Sequence, residues 1–166
     1  MTINSIFYNA SKTLSVERDG SYPTNYIPLC PSRAQRALFQ AADAVASLSD
    51  HCQNRVGCVL VSGHRILSSG HNSITRCSPF QKQMDTVRFG NSDRHKGPVH
   101  AETDCLLPLI RQGIDISGSD IYLSRRHRNG SLALSRPCPG CMSLLRAVGV
   151  KRAYFSVEGD YAMEKI

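Results

Sequence analysis

Four side chains in two short stretches have types and spacings that can do chemistry. In His100-Ala101-Glu102 an imidazole and a carboxylate are separated by one residue, and in Pro137-Cys138-Pro139-Gly140-Cys141 two thiols sit three apart. One imidazole and two thiolates are three good zinc ligands, and a site with three protein ligands leaves a fourth position for water. A structural zinc site is normally closed by a fourth Cys or His. Here the remaining group is Glu102, a carboxylate suited to moving protons, which points to catalysis. As an isolated first-turn acid, Glu102 would instead read as a helix-stabilising charge.

The H-x-E and P-C-x-x-C pair resembles the signature of zinc nucleobase deaminases, and the chain is similar to the cytidine/deoxycytidylate deaminase superfamily. The resemblance covers roughly residues 32 to 156. It includes Arg55-Val56-Gly57-Cys58-Val59-Leu60-Val61, the turn at Ser62-Gly63-His64, the stretch from Arg65 to Gly70-His71-Asn72, the run His100 to Leu106, and Val150 to Phe155. It implies an α/β fold of three layers, α/β/α, with a mixed central sheet of about five strands. It also implies zinc held by His100, Cys138 and Cys141, Glu102 as the proton carrier, and substrate contacts from Asn72 and Ala101, with Asn72 on the sugar.

The elements that must position these groups follow from periodicity. Ser32 can cap a helix in which Ala34, Ala37, Leu38, Ala41, Ala44, Val45 and Leu48 recur at three and four residues, forming one apolar face. Residues 55–62 and 65–70 read as paired strands joined at Gly63-His64. A helix begins at His100 and runs to about Arg111, where Pro108 should kink or shorten it. Residues 120–126 form a third strand, expected to pair with residues 131–134 across a type I′ turn at Asn129-Gly130. The second zinc helix spans about 138–148 and is closed by Gly149, and a strand follows over 150–156.

Ten residues follow Ser156, and they read as a tight turn and a return strand. A crossover helix does not fit there, so the last two strands should be antiparallel. By the resemblance, that arrangement marks the free-nucleoside branch, whereas a His ligand marks the nucleotide and nucleic-acid branches. A divergent deoxycytidylate-type enzyme reconciles the two.

Residues 1–30 are polar, with scattered aromatics and no clean period, and read as an extension ahead of one zinc deaminase domain at 31–166. Residues 72–100 form a long connection containing Arg76, Lys82, Arg88, Arg94 and Lys96, placed ahead of the zinc helix where a substrate-binding loop would stand. Ser78-Pro79-Phe80-Gln81 is its most ordered piece. Cys105 reads as a small core residue; Cys52, Cys77 and His95 could assemble a second, structural zinc site, as the resemblance to deoxycytidylate deaminases allows, although their spacing is not that of a metal knuckle.

Length and composition bound the remainder. A chain of 166 residues, 41% hydrophobic, is long enough for one buried core and short for two. No stretch is long and apolar enough to span a bilayer, and the N-terminus lacks the apolar core of a secretory signal, so the expected location is cytoplasmic, with no membrane partner. Seven cysteines then mean thiols and metal ligands more than disulfides.

The formal charge of +7 and the cluster Arg125, Arg126, His127 and Arg128 suit a phosphorylated or polyanionic ligand, or are a solvated basic surface. The expected activity is deamination of cytosine in a small nucleotide, dCMP first, by a homo-oligomer, as the superfamily implies. A base in single-stranded DNA or RNA is the alternative substrate, which would make nucleic acid a partner. A zinc-binding protein without activity is a third reading.

Overall fold

The computed structural model describes residues 26–89 and 97–166. Its main sheet has six strands in the order β1-β8-β7-β6-β2-β3, where β1 is Ile27–Leu29, β2 Val56–Ser62, β3 Arg65–His71, β6 Asp120–Arg125, β7 Arg152–Val157 and β8 Asp160–Lys165. Only β6 and β7 run parallel; their connection is long enough to hold a helix, as a parallel crossover requires. The return strand β8 is antiparallel to β7, as expected from the short tail. A small second sheet pairs β4 (Ser73–Cys77) with β5 (Pro98–Val99).

The sixth strand is a departure from the sequence reading. Ile27–Leu29 pairs with β8, and the Tyr26 ring meets Phe155 edge-on at 5.6 Å, so the end of the supposed extension belongs to the sheet. Three residues are too short a run for alternation to show, and β1 exists because β8 offers an open edge.

Alternation along the strands divides two cores. Cys58, Leu60, Ile121, Leu123, Ala153 and Phe155 face helices α3 (Ala101–Arg111) and α4 (Pro139–Ala147), while Val59, Val61, Tyr122 and Tyr154 face α1 (Arg33–Ala46). The result is the expected three-layer arrangement. Two of the helices lie close to a glycine: a Cβ on Gly57 would stand 2.3 Å from Ala42 O in α1, and one on Gly70 would stand 2.3 Å from Cys105 N in α3.

α1 starts as expected. Ser32 Oγ accepts from Gln35 N and Gln35 Oε1 accepts from Ser32 N, forming a reciprocal capping box. Its most buried residues are Phe39, Ala42 and Ala46, beside Leu38, Ala41 and Val45 of the expected face, which pack partly buried on the same core, and Leu48 is exposed beyond the helix end. Alanine tolerates either face, so the large Phe39 ring decides which one turns inward.

α3 runs through Pro108 to Arg111, the end expected from the sequence. The hairpin expectation is corrected. Residues 131–134 form no strand; a single bridge joins Arg126 and Leu132. The turn there is not type I′, since that needs positive φ at both central residues and Gly130 (φ 84) is left-handed while Asn129 is not. Asn129 instead accepts from Ser131 N and Oγ, an Asx-type closure.

The connection at 72–100 has regular structure in its described part. β4 leads to helix α2 (Pro79–Phe89), and β5 returns the chain to His100. Phe80, Gln81, Met84 and Asp85 are buried, and Gly140 of α4 approaches the Met84 backbone. This part packs against the helices that carry the two motifs. Arg76 pairs with Asp104 at 2.6 Å, while Arg94 and Lys96 lie outside the described residues.

Candidate metal centre and active site

The two motifs meet at the starts of two helices. His100 is the N-cap of α3 but makes no side-chain cap bond, and Cys138 is the N-cap of α4 with its Sγ accepting from Cys141 N at 3.5 Å. Pro139 at the first helical position suits this start, since its missing N–H would have no intrahelical partner there. His100 Nδ1 lies 3.6 Å from Cys138 Sγ and 3.4 Å from Cys141 Sγ.

A tetrahedral zinc with bonds of ~2.0–2.3 Å to N and S sets its ligands ~3.5 Å apart, so the three side chains fit that ion as they stand. All three ligand atoms lie within 4.8 Å of one another, and they form the one such group of His, Cys and carboxylate side chains among the described residues. Cys52 and Cys77 are exposed and join no cluster, and His95 lies outside the described residues.

Metal-free electrostatics show the donors prepared. Hydrogen bonds from Cys141 and then His100 pull the Cys138 thiol well below its ordinary value, against burial. Cys141 is pushed the other way, first by its hydrogen bond to Cys138 and then by burial. Burial disfavours the His100 imidazolium, but the neighbouring Cys138 thiolate outweighs it and raises His100 to about 9. The metal-free site therefore favours a thiolate at Cys138 over one at Cys141 and keeps a proton on His100, and a metal would displace the protons its ligands still carry.

Glu102 is buried at 5% exposure, and it lies within reach of Cys141. Burial raises its carboxyl above the usual range, partly offset by His100. A carboxylate kept in a dry site takes up a proton more readily than one in water, which suits a group that must accept and then release protons.

The sequence-derived substrate contacts fare differently. Ala101 is buried in the core, with its carbonyl accepting from Cys58 Sγ at 3.2 Å. The Asn72 carboxamide ties together three neighbouring segments. Its Oδ1 accepts from Ser49 Oγ (2.7 Å) and Val56 N (2.8 Å), and its Nδ2 donates to Asn54 O (2.7 Å). Those bonds leave one amide proton for another acceptor. Cys105 is a core residue, as read.

Three site-supporting residues, Gln81, Asp85 and Thr103, belong to no motif in the sequence. Gln81, fully buried, donates to Asp85 Oδ1 at 2.9 Å and accepts from Thr103 Oγ1 at 2.6 Å and His100 N at 3.4 Å. It ties α2 to the first turn of α3. Only its place in the one ordered-looking piece of a long connection hinted at burial.

Six mixed strands between helices, with two zinc-motif helices starting side by side, define the cytidine deaminase fold. The chain matches the family model for the cytidine and deoxycytidylate deaminase zinc-binding region over residues 32–157, and it belongs to that family of zinc-dependent hydrolytic deaminases. It is 29% identical to a deoxycytidylate deaminase of Mycobacterium phage D29 over 126 residues, 70% of this chain and 89% of that one. It is 24% identical to the deoxycytidylate deaminase of Enterobacteria phage T4 over 154 residues, 71% and 75% respectively.

Among solved structures, the dCMP deaminase from cyanophage S-TIM5 in complex with dCMP and dUMP superposes with a TM-score of 0.53 at 20% identity, covering 76% of this chain and 83% of that one. A cytidine deaminase from Burkholderia pseudomallei gives 0.53 at 18%, covering 78% and 91%. These two likenesses bear on the fold. No helix among the described residues is long and apolar enough to cross a membrane.

Proposed function

We propose that the chain hydrolyses dCMP to dUMP and ammonia. The observation that carries this reading is the placement of the buried Glu102 carboxyl beside a His100, Cys138 and Cys141 cluster of zinc dimensions. The choice of dCMP is supported by the viral relatives named deoxycytidylate deaminase and by the neighbour described with dCMP and dUMP. The His ligand agrees with the nucleotide branch.

His100, Cys138 and Cys141 would hold zinc, which when bound supplies Lewis acidity that makes water nucleophilic near neutral pH. Glu102 accepts a proton from the attacking water and delivers it to the ring nitrogen next to the amino-bearing carbon. It then transfers the second proton to the departing amino group, so that water and dCMP become dUMP and ammonia. Burial around Glu102 excludes bulk water that would compete for those protons. Asn72, with its spare amide proton, and the Ala101 backbone are the proposed substrate contacts, Asn72 on the sugar.

The test is a panel of dCMP, deoxycytidine, CMP, dCTP, adenosine and a short single-stranded DNA, with the zinc-loaded chain beside Glu102→Gln. Products are read by mass for exchange of an amino group for a hydroxyl. The reading expects dCMP to be converted best, with a loss of roughly 10²–10⁴-fold in the variant. Conversion of the oligonucleotide alone would overturn it.

A further inference from the structure

A cleft of about 700 Å³ opens where β6 ends, lined by Asn54, Arg125, His127, Arg128, Ser131 and Glu158. It lies at the C-terminal ends of the parallel pair β6 and β7. From there the chain is held against those ends by Ala133 N donating to Arg125 O and Ser135 N donating to Ser156 O before it enters the Cys138 motif. In open α/β sheets, ligands occupy the crevice at the carboxyl ends of parallel strands.

The charges at the cleft are unequal. Arg126, one residue on, is taken by Asp43 at 2.8 Å, and the lining's carboxylate, Glu158, lies against His127 Nε2 at 3.1 Å. Arg125 has neutral partners: Nη1 donates to Leu134 O and Nη2 to Asn54 Oδ1, while Nε is buried without a partner. Arg128 makes no ion pair among the described residues. A half-buried guanidinium fixed by neutral acceptors, beside a second unpaired one, is an anion site short of its anion.

The same bonds join this cleft to the substrate side. Asn54 accepts from Arg125 through Oδ1 and from Asn72 Nδ2 through its carbonyl, so one residue spans the arginine and the proposed sugar contact. A sugar held at Asn72 would carry its phosphate towards Arg125.

We propose that Arg125 and Arg128 form a phosphate-binding subsite that reads the phosphate of a nucleotide. Its assignment to the substrate's own phosphate rests on the dCMP reading above. The fork of Arg125, oriented by Asn54 and Leu134, donates to phosphate oxygens, and Arg128 closes the site from the turn.

The experiment uses the zinc-loaded chain, Arg128→Glu at the exposed position and Arg125→Gln at the half-buried one. Binding of inorganic phosphate and of dUMP is measured by calorimetry in a Glu102→Gln background, so the readout survives if dCMP is not the substrate. Both variants should weaken dUMP and phosphate binding by roughly tenfold or more. If the phosphate is the substrate's own, inorganic phosphate competes with dCMP, and kcat/KM for dCMP falls about tenfold further than that for deoxycytidine. If it belongs to a second molecule, phosphate alters turnover without competing, and the variants remove that effect. Unchanged phosphate and dUMP binding in both variants overturns the subsite, and so does loss confined to single-stranded DNA binding, which would assign the arginines to a polynucleotide surface.

Discussion

Gln81 Oε1 receives the Thr103 hydroxyl at 2.6 Å in a fully buried contact between α2 and the turn of α3 that carries His100 and Glu102. The same oxygen faces His100 N, and the amide nitrogen is held by Asp85. A buried amide held on both its oxygen and its nitrogen favours one geometry, because turning it over would leave Thr103 and Asp85 without their partners.

Gln81→Leu should therefore destabilise the chain by ~1–3 kcal/mol, through loss of bonds to Thr103 and Asp85. It should also weaken zinc affinity by roughly 10–100-fold, as removal of outer-shell support does at other metal sites. Denaturant titration and chelator competition separate the two effects. Native zinc affinity in the variant would show that the contact holds α2 alone.

Gly70→Ala tests the seating of α3. The new methyl would stand 2.3 Å from Cys105 N and 2.5 Å from Ala101 O, both backbone atoms that cannot rotate aside. We expect a loss of ~1–3 kcal/mol and a lower melting temperature in both the metal-free and zinc-loaded protein. A denaturation midpoint indistinguishable from that of the unsubstituted chain would contradict the close packing.

Zinc uptake should depend on pH with a definite sign. His100 is raised to about 9 in the metal-free site, so below that pH it carries a proton that must leave before the ring can bind, and Cys141 likewise enters as a thiol. Apparent zinc affinity is thus greatest above the raised His100 value and falls as pH drops below it, with close to two protons released per zinc near neutrality. Calorimetry in buffers of different ionisation enthalpy counts those protons. Pairing with the Cys138 thiolate is the cause of the shift that can be removed, so Cys138→Ser should reduce the count.

Asn72→Ala separates structure from substrate contact. Removing the carboxamide leaves Val56 N and Asn54 O without their partner and should cost ~1–3 kcal/mol. If the spare amide proton also meets the sugar, KM for dCMP and deoxycytidine rise together, because both carry that sugar. A destabilised variant with wild-type KM values would confine Asn72 to the loop.

The candidate zinc ligands and the proposed proton carrier Glu102 were legible because metal chemistry restricts residue type and helix starts restrict spacing: His100 and Cys138 each sit at an N-cap, and Cys141 lies one turn beyond Cys138. The antiparallel final strand was legible for a similar reason, since ten residues cannot supply a crossover. The inward face of α1 was legible only in part, because its alanines fit either side and Phe39 had to find Tyr122 and Tyr161 on other strands.

Local sequence thus determined which side chains could hold zinc and move protons, and the order of the main strands and helices along the chain. Tertiary structure alone decided that Ile27–Leu29 joins β8, that Gln81 reaches Thr103, and that Asn54 links Asn72 to Arg125. Those contacts join residues distant in the chain through hydrogen bonds with no periodic signature. They form only where closing the core has already brought the partners together, so no window of sequence can announce them.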